Sequence, residues 1–543
     1  MKPTASSLRY GLQLILLGAV QALSFAPNPL PALVLPYVQI VALACLAAYV
    51  FTARSPGAAA WTGFLFGLGQ FCVGLYWIFI SLHRFGGLAA PLAAGAVLVL
   101  AAGEALFFAL AAAATQWLTA SWRHAGASYG RQLLAPALWA SCWAGAEWLR
   151  GTLLTGFPWL NTGYAHADGP LAGWAPLFGV YGLAWFAAFI AAAIAQLKQT
   201  RGTPREAAAA TAVAAGIAVA LAGLALGQLR WSSPSGAPIL VRLVQGNVPQ
   251  SEKFDPQFMQ QGIDSYMRLA ALPPKVAGDE PKLIILPETV MPLFQDSYPE
   301  ELWQDWQAIA RERNATIIMG IPLHEEDNGV PRYTNSAIAF DANTPLPELL
   351  SGALPLRYDK HHLVPFGEFI PPGFRWFVDA LQIPLGDFNR GAARQHLFNL
   401  AGQTIAPNIC YEDVFGEEII QSVADSPTQG PGATILMNLS NLAWFGDSWA
   451  LRQHLRMSRL RAMETARPVI RATNTGMTAA IDPDGAVRAE LPANIVGVLD
   501  VEVQGARGLT PYVRWGDTPV LAWIVLVLLL GAAVCRRTSR RSS

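Results

Sequence analysis

Long apolar runs dominate the first 229 residues and return once near the end of the chain. A helix of about 20 mostly apolar residues is long enough to cross a bilayer core of about 30 Å. The pattern therefore predicts eight membrane spans, separated by a central region with a more even mixture of residues. The predicted spans cover residues 9–26, 31–51, 58–80, 88–118, 132–152, 170–195, 207–229 and 518–535.

The central region alternates short apolar strands with helical segments. The predicted strands are 237–246, 282–288, 315–322, 334–340, 394–400, 404–412, 433–440, 468–474 and 476–485, and the predicted helices are 255–272, 299–313, 416–425 and 448–466. Such alternation indicates an α/β sheet covered by helices. The domains are therefore predicted as 1–229, with seven transmembrane helices, 230–517, an α/β domain outside the membrane, and 518–543, the eighth helix with a basic tail.

Lysine and arginine are unevenly shared between the short loops. The N-terminal segment, every second loop and the tail RRTSRR hold most of them. Because basic loops stay on the cytoplasmic side, both termini are predicted to be cytoplasmic and residues 230–517 to lie in the periplasm of a Gram-negative cell. The net formal charge of zero gives no reason to expect a nucleic-acid partner.

Three charged residues lie in or near the predicted spans: Glu104, Glu147 and Arg150. Charged groups at membrane depth are unfavourable and usually face the interior of the bundle or a cavity. Two interpretations stay open. Glu147 and Arg150 either form a helix pair that only fixes packing, or they serve the function directly.

Only one of the five cysteines, Cys410, lies in the polar central region. It has no cysteine there to form a disulfide with, and without a CxxC pair a cysteine-based zinc site is not favoured. Cys410 is therefore either an inert core thiol or a nucleophile.

Three reactive side chains follow apolar strands or lie in loops rich in Pro and Gly: Glu288, Lys360 and Cys410. A thiol nucleophile needs a base to remove its proton, and the oxyanion that develops needs a fixed positive charge. The three residues supply one group for each role. Taken singly, each also fits a plain structural interpretation: a solvated or capping carboxylate, a solvated lysine and an inert thiol.

The segments LPET (286–289), YDKHHLVPFGEFIP (358–371) and NICYED (408–413) resemble the Glu, Lys and Cys boxes of the nitrilase superfamily. Together with the eight spans, they resemble the bacterial apolipoprotein N-acyltransferases. Further matching segments are QGNVPQSEKF (245–254), SNLAWFGDSWALRQHL (440–455) and GFPWLNTGY (156–164). The resemblance implies a membrane α-helical bundle of about eight spans and an α/β, nitrilase-like αββα sandwich domain.

The same resemblance implies that Glu288 is the general base, Lys360 the oxyanion stabiliser and Cys410 the nucleophile. The other implied residues are Glu368, Tyr411 and Glu412 as supporting catalytic groups, and Phe254, Trp444, Phe445 and Gly446 as substrate contacts. Phe254 departs from the family pattern, in which many relatives carry Trp, so an indole hydrogen bond is lost there.

The implied reaction transfers an acyl chain from a membrane phospholipid to the α-amino group of a diacylated apolipoprotein, through a thioester on the cysteine. It implies a monomer in the bacterial inner membrane, without a cofactor. A metal at His361 and His362 is disfavoured because no spaced ligand set accompanies them. Two alternatives remain: a membrane-tethered amidase of nitrilase type that passes the acyl group to water, and a non-catalytic transporter or scaffold that binds lipoproteins.

Overall fold

The computed structural model describes residues 5–122, 128–274, 276, 278–327, 329–371, 373, 375, 387–426 and 430–542. The chain divides into two compact units. The first, called the helical unit, comprises Met1–Phe79, Ala89–Arg230 and Trp515–Ser543. The second, called the mixed unit, comprises Ile80–Leu88 and Trp231–Arg514.

Long helices build the helical unit. In chain order they are Ala5–Ala22, Leu35–Thr52, Pro56–Gly74, Trp77–Ile80, Ala90–Thr119, Tyr129–Thr152, Ala175–Thr200, Glu206–Leu226 and Thr518–Ser542. Among the described residues, six segments are long and apolar enough to cross a membrane: Leu8–Phe25, Ala32–Thr52, Ala90–Thr119, Ala172–Thr200, Glu206–Leu226 and Thr518–Arg536. A pair of helices, Pro56–Gly74 and Trp77–Phe85, bends by 50° and makes a seventh if it is counted as one span.

The span predicted at 132–152 differs from the other seven. It forms the helix Tyr129–Thr152, but it is not among the helices apolar enough to cross a membrane. Gln132, Glu147 and several tryptophans lower its hydropathy, and its long buried face packs within the unit instead of facing lipid.

Glu147 and Arg150 take their hydrogen-bond partners outside their own helix. Arg150 donates to Glu104, with 3.4 Å between Nη1 and Oε2, and to the main-chain oxygen of Trp159 at 2.8 Å. Glu147 accepts hydrogen bonds from the main chain and the hydroxyl of Thr162. Both side chains are buried, so they hold the segment after their helix against the bundle.

Short strands form most of the mixed unit. They are β1 Ser233–Pro234, β2 Ile239–Gln245, β3 Leu283–Ile285, β4 Thr316–Asp327, β5 Val330–Phe340, β6 Arg357–Asp359, β7 Phe398–Leu400, β8 Gln403–Ile409, β9 Ile435–Ser440, β10 Val469–Thr473, β11 Ala479–Ile481, β12 Val487–Glu490, β13 Gly497–Val503 and β14 Ala506–Arg507. The helices of this part of the chain are Gln250–Lys253, Met259–Ala270, Glu300–Arg313, Leu346–Ser351, Gly416–Val423, Trp449–Thr465 and Pro511–Trp515.

Two six-stranded sheets result, with strand orders β13-β2-β3-β4-β5-β6 and β12-β11-β10-β9-β8-β7. In β3, Leu283 and Ile285 join an apolar core with residues of β8, β9 and β10, whereas Ile284 packs with the helices Met259–Ala270 and Glu300–Arg313. Because successive side chains of a strand point to opposite faces, this alternation places one core between the sheets and one under the helices. A third core lies between β7–β12 and their own helices. The predicted αββα sandwich is confirmed.

Candidate active site

Glu288 lies three residues beyond β3, at the end where this strand runs parallel to β2 and β4. Its Oε1 accepts a hydrogen bond from Asn335 Nδ2 at 2.8 Å and its Oε2 from the main-chain N–H of Asn441 at 2.9 Å. Gly320 of β4 makes room for this turn, because a Cβ at that position would lie 2.5 Å from the Cα of Glu288. The carboxylate is buried, and its orientation is fixed from both sides.

Lys360 follows β6 directly and is 1% exposed. Its main-chain N–H donates to the oxygen of Asn335, while Nζ donates to Glu368 Oε1 at 2.8 Å and lies 3.6 Å from Glu288 Oε1. Burial opposes the charge of the ammonium, but Glu368, Glu288 and Cys410 outweigh burial and raise the pKa of Lys360. Lys360 is therefore a fixed positive charge.

Cys410 directly follows β8 and begins the short helical segment Cys410–Val414. Its φ of 53° is in the left-handed region, which a residue with a side chain rarely adopts. Asn438 Nδ2 and His454 Nε2 each donate to its main-chain oxygen at 3.2 Å, and these contacts support the strained turn.

Cys410 is partly exposed as a residue. Burial of the remaining surface raises its pKa above the ordinary value of 9.0, and the negative charge of Glu288 adds to this effect. Lys360 acts in the opposite direction. At neutral pH the thiol therefore keeps its proton until a base removes it.

The structure brings Glu288, Lys360, Glu368 and Cys410 into one electrostatically coupled group. Asn335 Nδ2 bridges the two carboxylates, with 2.8 Å to Glu288 Oε1 and 2.7 Å to Glu368 Oε1. Glu368 Oε2 also accepts from a main-chain N–H, so this carboxylate is held by neutral donors and by Lys360 together. The arrangement can accept a proton from a thiol and stabilise an oxyanion.

Glu412 accepts four hydrogen bonds. Three reach Oε1, from the hydroxyl of Tyr358 at 2.9 Å and from the main-chain N–H groups of His361 at 2.7 Å and His362 at 3.0 Å. The fourth runs from the N–H of Ile409 to Oε2 at 2.7 Å. Glu412 thus ties the end of β8 to the segment that follows β6. It is a positioning carboxylate.

Tyr411 follows Cys410 in the sequence and packs edge-on against Phe415, with 5.2 Å between ring centroids. It is 7% exposed, and its ring also lies 5.9 Å from that of His362.

The predicted substrate contacts lie on two exposed segments. Phe254 follows the helix Gln250–Lys253 and is 48% exposed. Trp444 is 38% exposed, and its ring lies 5.8 Å from that of Phe85 in the Ile80–Leu88 part of the mixed unit. Gly446 has a φ of 58°, which ends the short helix Ala443–Phe445. Phe254 and Trp444 thus expose aromatic surface on these two segments.

Three residues that contact Glu288 escaped the sequence analysis: Asn335, Asn441 and Lys253. Asn441 links Glu288 to both exposed segments, because its Nδ2 donates to Gln250 Oε1 at 2.9 Å and its Oδ1 accepts from the N–H of Ala443. Lys253 Nζ donates to the main-chain oxygen of Glu288 at 3.1 Å. Asn335 lies in a strand and Asn441 directly follows one, and this position is the feature of the sequence that could have identified them as site residues.

The histidines after Lys360 have other partners than a metal. His361 Nδ1 hydrogen-bonds with the oxygen of Gly391, and His362 Nδ1 with Glu418, both at 2.8 Å. Within the described part of the chain, no group of three or more His, Cys, Asp or Glu residues is arranged to hold a metal ion.

Comparison with known proteins agrees with this organisation. Residues 17–193 match the profile of the apolipoprotein N-acyltransferase N-terminal domain, and residues 192–512 match that of carbon-nitrogen hydrolases. The apolipoprotein N-acyltransferase of Bordetella bronchiseptica is 56% identical, over 96% of both chains. That of Ralstonia nicotianae is 46% identical over 96% of this chain and 92% of its own, and that of Nitrosomonas europaea 42% identical over 95% of both. The chain belongs to the apolipoprotein N-acyltransferase family.

Proposed function

We propose that this protein transfers an acyl chain from a membrane phospholipid to the N-terminal α-amino group of a diacylglyceryl-cysteine apolipoprotein, by way of a thioester on Cys410. Relatives that match nearly the whole chain are named for this activity. The mostly buried group of Glu288, Lys360 and Glu368 around Cys410, a partly exposed residue, is the observation that carries the proposal. It provides a base, a fixed positive charge and a nucleophile.

In the first half-reaction, Glu288 takes the proton of the Cys410 thiol, and the thiolate attacks the ester carbonyl of the phospholipid. The ammonium of Lys360 stabilises the oxyanion of the tetrahedral intermediate. As this intermediate collapses, the ester C–O bond breaks and the alkoxide of the lysophospholipid takes the proton from Glu288. The acyl group stays on Cys410 as a thioester.

In the second half-reaction, the neutral α-amine of the apolipoprotein attacks the thioester. Glu288 accepts a proton from the nitrogen, the C–S bond breaks, and the thiolate leaves. Proton return from Glu288 to Cys410 restores the starting state. The two half-reactions use the same residues in alternation, which gives ping-pong kinetics.

Both substrates are anchored in lipid, which supports a site at a membrane surface. The apolar helices of the helical unit fit insertion into the inner membrane. The excess of Lys and Arg in the N-terminal segment, alternate loops and the tail supports cytoplasmic termini and a periplasmic catalytic domain. Phe254 and Trp444 offer exposed aromatic surface to the acyl chains.

The decisive experiment follows the thioester. The purified full-length protein is incubated with phospholipid, and peptides are searched by mass spectrometry for an acyl adduct on Cys410. A diacylated lipopeptide is then added, and discharge of the adduct is measured. We expect the adduct to form, and to move to the lipopeptide amine.

Cys410→Ala should abolish the adduct, while Cys45→Ala, which removes a thiol of the helical unit, should leave it unchanged. An adduct that discharges only to water would favour the amidase instead. If the wild-type protein forms no adduct on Cys410, the proposed mechanism is wrong.

A further inference from the structure

A second buried lysine lies against Glu288. Lys253 ends the helix Gln250–Lys253 and is 2% exposed. Its Nζ donates to the main-chain oxygen of Glu288 at 3.1 Å. Burying an ammonium is strongly unfavourable unless an opposite charge or good acceptors compensate. A lysine in this position therefore calls for a compensating role.

We propose that Lys253 is a positioning residue for Glu288, whose main chain it holds in place and whose readiness to accept a proton it adjusts through its charge. The inference rests on the proposed function only in taking Glu288 as the base for Cys410.

The charges of the site support this role. Glu288 and Glu368 are two carboxylates, and Lys360 supplies one positive charge between them. Lys253 supplies a second, so the enclosed group is neutral when both carboxylates are ionised. Without Lys253 it would carry one net negative charge, and the formation of a thiolate at Cys410 would face that excess.

The groups that face Glu288 come from every element around it. Lys253 approaches from its helix, Lys360 from the end of β6, and Cys410 from the end of β8. Asn335 of β5 and Asn441 after β9 add neutral donors, and Glu368 acts through Lys360 and Asn335. Lys253 and Lys360 are thus two cations that approach Glu288 from different elements.

Lys253 is charged in the pH range where a carboxylate base gains its proton. Burial lowers the pKa of Lys253 to about 7, although the negative charge of Glu288 opposes this change. Below that pH, Lys253 is an ammonium and favours the carboxylate form of Glu288. Its influence therefore falls on the acid side of the pH profile.

The helix of Lys253 holds Glu288 at two points. Lys253 binds its main chain, and Gln250 binds Asn441, whose N–H donates to the Glu288 carboxylate. Loss of the Lys253 hydrogen bond would leave the main-chain oxygen of a buried turn without that donor.

Alkylation of Cys410 tests the inference without either natural substrate. The full-length protein in detergent is treated with iodoacetamide between about pH 5 and about pH 9, and the Cys410 peptide is quantified by mass spectrometry. Lys253→Gln keeps a donor for the Glu288 oxygen but removes the charge, while Lys253→Met removes both. Lys282→Met applies the same change to an exposed lysine at the start of β3 and serves as the matched control.

Without the positive charge of Lys253, the ionised carboxylate that takes the proton of Cys410 receives less electrostatic stabilisation. We expect the acid limb of the alkylation profile to move upward by about one pH unit in both Lys253 variants. The plateau rate should fall by about fivefold in Lys253→Met only, because only that variant loses the hydrogen bond. Lys282→Met should behave as wild type in both respects.

An acid limb that stays in place in both variants would overturn the role of the charge, and equal plateaus for Gln and Met would overturn the role of the hydrogen bond. Fluorescence-monitored melting shows whether Lys253→Met folds. If it does not, Lys253→Gln alone decides whether the charge of Lys253 matters. A wild-type protein that alkylates with this profile but forms no acyl adduct from phospholipid would refute the proposed function and leave this inference standing.

Discussion

The turn that carries Cys410 depends on the carboxylate of Glu412, and the substitution Glu412→Gln removes its charge while keeping its shape. Three donors converge on Oε1 and the N–H of Ile409 reaches Oε2. A glutamine amide can present its oxygen to the three donors, but its NH2 group then faces the N–H of Ile409. Two donors would meet directly before the nucleophile.

The size of the effect follows from these contacts. A buried donor without an acceptor costs about 1–3 kcal/mol, and loss of the charge weakens each of the other three bonds by about 1 kcal/mol. Burial raises the pKa of Glu412, which means that the enclosure disfavours its charge and that a neutral amide relieves this strain. We expect a net destabilisation of about 3 kcal/mol. In a domain of this size, that corresponds to a fall of about 6 °C in Tm.

Thermal unfolding, followed by tryptophan fluorescence in detergent, measures this change. The matched control is Glu418→Gln, which also removes a carboxylate that binds His362, but one that is 29% exposed at its side chain. Its Tm should change by no more than about 1 °C, because a carboxylate that water still reaches contributes little through its ion pair. If Glu412→Gln has the same Tm as this control, the buried carboxylate does not hold the turn and the reasoning is refuted. Alkylation of Cys410 should also be slower in Glu412→Gln than in the wild type, and unchanged in Glu418→Gln.

Three further predictions concern Lys253, Gly320 and Glu288. Burial lowers the pKa of Lys253 to about 7 from its ordinary value of 10.5, so between these pH values the unfolded chain binds a proton that the folded chain does not. The free energy of unfolding should therefore rise by roughly 5 kcal/mol from about pH 7 to pH 10.5. The matching rise of Tm with pH should be absent in Lys253→Met. Gly320→Ala should destabilise by about 1–3 kcal/mol in thermal melting, since the new Cβ meets main-chain atoms of Glu288 and Thr289; an unchanged Tm would contradict the close approach. Glu288→Gln should slow formation of the Cys410 acyl adduct by about 10²–10⁴-fold, and a loss below about tenfold would exclude it as the base.

Much of the fold was predictable because local pattern determines it. Continuous apolar runs predicted β2, β8, β9 and β10, since strands buried on both faces carry few polar residues. The antiparallel pairing of β13 with β2 was missed, because Gly497 pairs with Gln245 across some 250 residues and no local pattern records such a partner. Local pattern also failed for Arg150, whose partner Glu104 comes from another helix and not from its own.

The candidate site also contains residues that the sequence could identify and residues that it could not. Ionisable residues at strand ends, such as Glu288 and Cys410, were identifiable because apolar strands leave few chemical groups to choose from. The amides that orient them were not, since Asn335 and Asn441 look like ordinary polar residues until the strands are assembled. Lys253 was hidden for a different reason: a lysine in a short polar helix is usually solvated, and only the fold buries it.

The membership of Ile80–Leu88 in the mixed unit has a practical consequence for protein production. A fragment cut at Trp231 and Arg514 would leave this short piece behind, and with it Phe85, which packs beside Trp444. Such a fragment would expose an indole that is already 38% accessible, and it would be prone to self-association. A soluble version of the catalytic portion therefore has to be assembled from two separate stretches of the gene, with Ile80–Leu88 linked back onto the loop that it covers.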